Sequence, residues 1–439
     1  MAWSTPSPQE ISPHFVSISL LAAALPTWTQ HVAKIQPVGA YVWTSSGLIE
    51  GIPAPERSNV SEYLRIPFAA SPTGDLRFAP PVAYHSNSAV HATQKVVQTF
   101  AQQLGKPQSE DCLYLNMWAK PTTSSLKPVL AFIHGDRTSY RLNIFGFSGA
   151  PGFPQNVASL DQRLAVEWVH SNIAAFGGDP CRIAMFGQSA GGAAVDYYSY
   201  IWGNKPLVSG LISHSGTALS FKPNTPQESA SYFHHVSHTI GCRSTTTNTT
   251  SIIQRLRQQP NKSTLKKVAK VPPAQFPVLP QPIFHPTVNN ITIFNNCAEH
   301  SAAGNFSSIP YLLTTNANKA GYYRVTAFVC PTGKTASDRA AAGIPAWQSR
   351  YFGDWDNLRL YSSSGLPSSA KEMELARYMV SAEFRWPGYD KDGEFGVPPF
   401  FLCVFVTETL VGPVYGDEAK ARFLLPSLFE QESAGLGSE

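Results

Sequence analysis

The sequence predicts an α/β fold built on a mostly parallel central sheet. Three observations carry this. Short apolar runs rich in branched residues recur at "VLAFI" (129–133), "RIAMF" (182–186) and "SGLIS" (209–213), the pattern of strands buried on both faces. Helical patterns separate them, "SLDQRLAVEWVHSNIAAFGG" (159–178) and "GGAAVDYYSYIW" (191–202), and strand–helix alternation is the signature of βαβ units. The chain has 439 residues, 43% apolar and only 14% charged, so it is globular, with material for a large core.

Taken in order, residues 1–28 read as a leader-like segment. "FVSISLLAAAL" (15–25) precedes Pro26, with the small residues Ala22 and Ala24 near a cleavage point, although no Lys or Arg precedes it. Residues 29–399 read as a single domain, and 400–439 as a divergent tail. Within the domain, 29–105 is loop-rich, with strand pieces at Tyr41–Trp43 and Gly47–Ile49. In the helix at 159–178, Leu160, Leu164 and Trp168 recur on one face, Ser159 with Gln162 fits a capping box, and Gly177 or Gly178 ends it. "STTTNTTS" (244–251) reads as a polar loop and "VPPAQFPVLPQPIFHP" (271–286) as an extended surface segment. A helical pattern returns at "KEMELARYMVSAEF" (371–384), and "FFLCVFV" (400–406) reads as a strand before the polar ending "QESAGLGSE".

Composition excludes some functions. Net charge is +4 and the densest basic patch, "LKKVAK" (265–270), reads as a solvated helix end, so nucleic acid is not an expected partner. No apolar run is long enough for a membrane-spanning helix. Five N-x-[ST] sequons, at Asn59, Asn248, Asn261, Asn290 and Asn305, are candidate glycosylation sites and favour secretion. None of the six cysteines (Cys112, Cys181, Cys242, Cys297, Cys330 and Cys403) has the spacing of a zinc or redox site. Disulfides and free thiols both remain open, and no metal or organic cofactor is implied.

The chemistry centres on "FGQSAGG" (186–192), where Gly187-Gln188-Ser189-Ala190-Gly191 fits the G-x-S-x-G nucleophile elbow. The motif alone is weak. Its place between a predicted strand and a predicted helix is what the elbow requires, because a tight strained turn lifts the hydroxyl beside helix N-terminal donors. A serine also needs a base, an orienting acid and donors for the oxyanion.

At this point the chain resembles the type-B carboxylesterase/lipase family, which includes cholinesterases and many secreted fungal esterases and lipases. "RIPFAASPTGDLRFAPP" (65–81), "SEDCLYLNMW" (109–118) and "FGGDPCRIAMFGQSAGG" (176–192) match its signatures. "AGNFSSIPYLLTTNANKAGYY" (303–323) and "RYFGDWDNLRLY" (350–361) resemble later segments. The resemblance runs from about Tyr41 to Asp392, with gaps. It implies an α/β-hydrolase fold and ester hydrolysis through an acyl-enzyme on Ser189, acting on a small-molecule or lipid ester. It also implies Gly135 and Ala190 as oxyanion donors.

The chain departs from that pattern in four places. "FIHGD" (132–136) runs directly into "TSYRLNIFGF" (138–147), so most of an oxyanion loop and a central strand are expected to be missing. Lys319 stands in "NANKAG" where relatives carry the acid. Facing an imidazolium at about 4 Å it would cost ~4 kcal/mol; the alternative is that it faces solvent. Glu299 and Asp338 are the nearest acids in sequence. The family histidine segment is also absent, since all twelve histidines lie at or before His300. His134, His214 and His300 are the substitute bases to weigh against purely structural roles, with His214 ahead. Finally, the family partner of Cys112 lies upstream, and this chain has no cysteine there. Three readings follow: a serine ester hydrolase with weakened activity, a non-catalytic binding or adhesion member, or a mis-spliced or truncated product of an esterase gene.

Overall fold

The computed structural model describes residues 37–55, 57–92, 109–121, 125–135, 140–242, 248–260, 283–316, 325–351 and 402–406. Its strands are β1 (Val42–Thr44), β2 (Gly47–Glu50), β3 (Ile52–Ala54), β4 (Arg57–Pro67), β5 (Ala89–His91) and β6 (Tyr114–Ala119). They continue as β7 (Lys127–Ile133), β8 (Gly178–Gln188), β9 (Gly210–His214), β10 (Tyr311–Asn316), β11 (Ala346–Tyr351) and β12 (Leu402–Val406). The helices are α1 (Asn143–Gly146), α2 (Val157–Asn172), α3 (Ala190–Ile201), α4 (Pro226–Thr239), α5 (Thr249–Gln258), α6 (Cys297–Ala302) and α7 (Cys330–Ala341).

Nine strands form one sheet in the order β11-β10-β9-β8-β7-β12-β6-β4-β3, and β1-β2-β5 form a small second sheet. From β11 through β12 every neighbouring pair is parallel, whereas β12-β6, β6-β4 and β4-β3 are antiparallel. The predicted runs at 129–133, 182–186 and 209–213 are thus the middle strands. Val129, Ile133, Ile183, Met185 and Leu211 are buried in one cluster with Trp168, Val169, Val195, Tyr311 and Leu313, so helices cover the strands as the continuous apolar pattern requires.

Local chemistry explains the helix ends in part. Thr225 and Glu228 form a reciprocal capping box on α4, with Pro226 at its start. The box predicted at Ser159 and Gln162 does not form. Helix α2 begins two residues earlier, after Asn156, and both residues lie buried inside it. Its start is set by tertiary bonds: Asn156 Nδ2 donates to Thr287 O (2.8 Å) and Thr292 Oγ1 (3.0 Å), and Asn156 Oδ1 accepts from Thr287 N (2.8 Å). A 3₁₀ turn, Ile173–Phe176, extends the helix to Gly177 in the left-handed region (φ 83°), as expected for a glycine stop. The leucine stripe is only half right. Trp168 is buried and donates to Ser46 Oγ (2.8 Å), but Leu160 and Leu164 are half-buried, while Ala158, Ala165, Val166 and Val169 face the core.

Two predicted loops are corrected. Residues 249–251 of the polar tract open α5, because Asn248 caps it by accepting from Ser251 N (2.9 Å). At the end of the proline-rich stretch, Ile283 and Phe284 are buried with Phe145, Phe233, Ile252 and Leu256 instead of lying on the surface. The predicted strand at 400–406 is present as β12, inside the central sheet. The leader-like segment 1–28 and the helical pattern at 371–384 lie outside the described residues.

Candidate active site

Strand β8 ends at Gln188, helix α3 begins at Ala190, and Ser189 alone makes the turn between them. Its backbone sits at φ 57° and ψ −122°, a conformation that L-residues rarely hold. Two bonds fix it: Ser189 N donates to His214 O (2.8 Å), and Ser189 O accepts from Ala193 N (3.0 Å). The turn is also too crowded for side chains. A Cβ on Gly187 would lie 2.4 Å from Gly191 O, one on Gly191 would lie 2.2 Å from Ile133 O, and one on Gly216 would lie 2.1 Å from Ser189 O. The glycines of the motif are therefore demanded by close backbone approach, as the strand–turn–helix reading anticipates. The Ser189 side chain makes no capping bond to α3, so its hydroxyl is not engaged by the helix.

Gly135 packs directly on this turn. A Cβ there would lie 2.5 Å from Gln188 O, 3.3 Å from Ser189 Cβ and 3.4 Å from Ala190 N. Gly135, Ser189 and Ala190, separated in sequence, thus meet at the carboxyl ends of β7 and β8. Ala190 is the first residue of α3, where amides have no intrahelical acceptor and the helix dipole is positive. An amide in that position suits a neighbouring negative charge.

The histidines are disposed differently. His214 ends β9 in register with Gln188. Its ring is buried, Nδ1 is paired with Thr314 Oγ1 at 2.5 Å, and Phe186 meets it edge-on. Burial pushes it down to about 4, so it is neutral at pH 7. His134 is buried and stacked on Tyr140 (centroids 4.4 Å apart), and the Tyr140 hydroxyl donates to His134 O (2.9 Å). Burial holds it well below the ordinary histidine range. His300 lies on α6 against Phe294. Of the three, His214 shares a backbone hydrogen bond with the serine turn.

No carboxylate is brought to Ser189 by the two acids considered. Glu299 is exposed and accepts from Asn296 Nδ2 (2.7 Å), and Asp338 pairs with Lys334 (2.5 Å). Lys319 and Asn261 lie outside the described residues. The sequons at Asn59, Asn248, Asn290 and Asn305 are all exposed. Cys112 is buried and unbridged, and burial raises its thiol well above the usual value.

A polar network behind α3 is not anticipated from the sequence. Arg339 Nη2 donates to Asp196 Oδ1 (2.8 Å) and Ser199 Oγ (2.6 Å), Asp196 Oδ2 accepts from Ala218 N (2.8 Å), and all three side chains are buried. The available signal is a lone aspartate in the otherwise uncharged run "GGAAVDYYSYIW". The network ties the helix that carries the serine turn to α7.

The sequence model of the carboxylesterase family matches residues 39–139 and 137–343, more than half of the chain. The chain belongs to the carboxylesterase family. The two matched blocks meet at 137–139, the junction where "FIHGD" runs into "TSYRLNIFGF". Chlorogenic acid esterase of Aspergillus niger is 30% identical over 448 aligned residues, covering 86% of this carboxylesterase-family chain and 84% of that protein. Secreted lipase 5 of Gibberella zeae is 28% identical, covering 77% of this chain and 81% of that one. Among solved structures, a carboxylesterase of Geobacillus stearothermophilus superposes with TM-score 0.61 at 22% identity, over 72% of this chain and 81% of its own. The fold is therefore that of the α/β-hydrolase carboxylesterases. Among the described residues no helix is long and apolar enough to cross a membrane.

Proposed function

We propose that this carboxylesterase-family chain is a serine ester hydrolase in which Ser189 is the nucleophile and forms an acyl-enzyme. Gly135 and Ala190 supply the oxyanion amides. The observation that carries the reading is the meeting of Gly135, Ser189 and Ala190 at one strained turn. Substrates are small-molecule or lipid esters, in keeping with the esterase and lipase relatives. Secretion and glycosylation at the exposed sequons belong to the same proposal.

Turnover is proposed to be weak. The acid position carries Lys319, no histidine follows His300, and the loss of a triad histidine costs roughly a million-fold in serine hydrolases. His214 is next to the turn, but the burial that disfavours its protonated form makes it a poor base, in keeping with weak turnover. A second reading, a non-catalytic binding member, is favoured by the same two positions. A mis-spliced or truncated gene product is favoured by the junction at 137–139.

A fluorophosphonate probe tests the first reading. Labelling of the folded chain that disappears in Ser189→Ala supports it; a folded chain that never labels sinks it and leaves the binding reading. Transcript reads that cross codons 134–139 and 360–364 without an insert sink the mis-splicing reading.

A further inference from the structure

We propose that strand β12 is a keystone recruited from the far end of the chain, and that its insertion holds Gly135 in position against the Ser189 turn. The sheet is built from two blocks. Strands β7 through β11 follow one another in chain order on one side, and β6, β4 and β3 lie on the other. β6 and β7 are consecutive in sequence but are not each other's neighbours. β12 lies between them, parallel to β7 (Leu402↔Val129 through Val406↔Ile133) and antiparallel to β6 (Leu402↔Ala119 through Phe405↔Asn116).

Both edges that β12 covers are interior. Val129, Leu130, Ala131, Phe132 and Ile133 of β7 are buried, as are Leu115, Asn116 and Met117 of β6. With the slot empty, each would present a row of unpaired N–H and C=O groups inside the protein, which is strongly unfavourable. The sequence of β12, "LCVFV", has no polar residue, the composition of a strand covered on both faces.

The connection to the candidate site runs through Ile133. It pairs with Gly187 on one side and Val406 on the other. Its carbonyl is the first atom a Cβ on Gly191 would meet (2.2 Å) and lies 2.8 Å from one on Gly187, and Gly135 lies two residues further on. β12 therefore clamps the strand end from which the first oxyanion donor projects. The role of Gly135 as a donor rests on the function proposed above; the placement of β12 does not.

The full-length chain allows both parts to be tested. Trp118 and Cys403 are directly opposite in the antiparallel pair β6-β12. Trp118→Cys, refolded under oxidising conditions, is expected to give an intramolecular 118–403 disulfide, read by peptide mapping. The link should vanish in Trp118→Cys with Cys403→Ser, and should not return when Val404→Cys is added, because that pairing is one residue out of register. A 118–404 link, a link between two chains, or no link in folded protein overturns the placement. Hydrogen exchange then reads the positioning. Val404→Pro should speed exchange at least tenfold at 129–135 and 186–191 while sparing β10; unchanged exchange at 129–135 overturns the clamp. If fluorophosphonate never labels the wild type, the proposed activity fails while the cross-link and exchange results still decide the role of β12.

Discussion

Ser189 stores strain at the point where the chemistry is proposed. A non-glycine residue at φ 57° and ψ −122° costs about 1–3 kcal/mol. Because the side chain makes no cap bond, Ser189→Gly should relieve that cost and raise the urea midpoint by an amount worth about 1 kcal/mol, while removing the nucleophile. A lower midpoint would contradict the strain argument. The motif glycines have the opposite sign. In Gly191→Ala the new methyl meets Ile133 O at 2.2 Å, which backbone cannot accommodate without shifting, so a loss of roughly 1–3 kcal/mol is expected in equilibrium denaturation. The G-x-S-x-G spacing was legible in the sequence. The crowding by Ile133 and Gly216 was not, because it comes from β7 and from the loop after β9.

At the level of elements, the Asp196–Arg339 pair joins α3 to α7. Both side chains are almost wholly buried, so removing one partner leaves a charge without its counter-ion. Asp196→Ala should cost about 3–5 kcal/mol, and most of that should return in the double variant Asp196→Ala with Arg339→Met, since replacing a whole buried pair by apolar groups is often near neutral. Thermal unfolding of the two single variants and the double variant checks this; additive losses would show that the pair is not coupled. Helix α4 offers a smaller effect of local origin. Thr225→Ala removes the hydroxyl that accepts from Glu228 N and should cost ~1 kcal/mol. The contrast with α2 is instructive. Its predicted box at Ser159 was a valid local pattern, but Asn156 found three tertiary bonds to residues 287 and 292, and those fixed the start.

For the whole molecule, the buried histidines His134 and His214 contribute to the response to acid. His214 lies near 4 in the native state, against an ordinary value of about 6.5 in the unfolded chain. Between these values the unfolded chain binds a proton that the native state refuses, so stability falls as pH drops from about 6.5 towards 4 and is complete above that range. For His214 the loss at pH 5 is roughly 2 kcal/mol, and His134, shifted in the same direction by burial, adds to it. Urea unfolding at pH 7 and pH 5 should show the lower midpoint at pH 5, with a shallower dependence in His214→Gln. A midpoint that rises on acidification would reverse the assignment.

The sequence alone determined the parallel α/β core, the strand–turn–helix setting of Ser189, and a glycine stop at 177 or 178, of which the structure uses Gly177. Each depends on period, composition or backbone freedom within a short window. It also determined the absence of any histidine beyond His300. Only the tertiary structure decided that Gly135 reaches the turn, that Asp196 finds Arg339, that Ile283 and Phe284 are core, and that 402–406 enters the sheet between β6 and β7. Those outcomes depend on which distant segments lie side by side, and hydrogen-bond pairing across a sheet leaves no periodic trace in either strand.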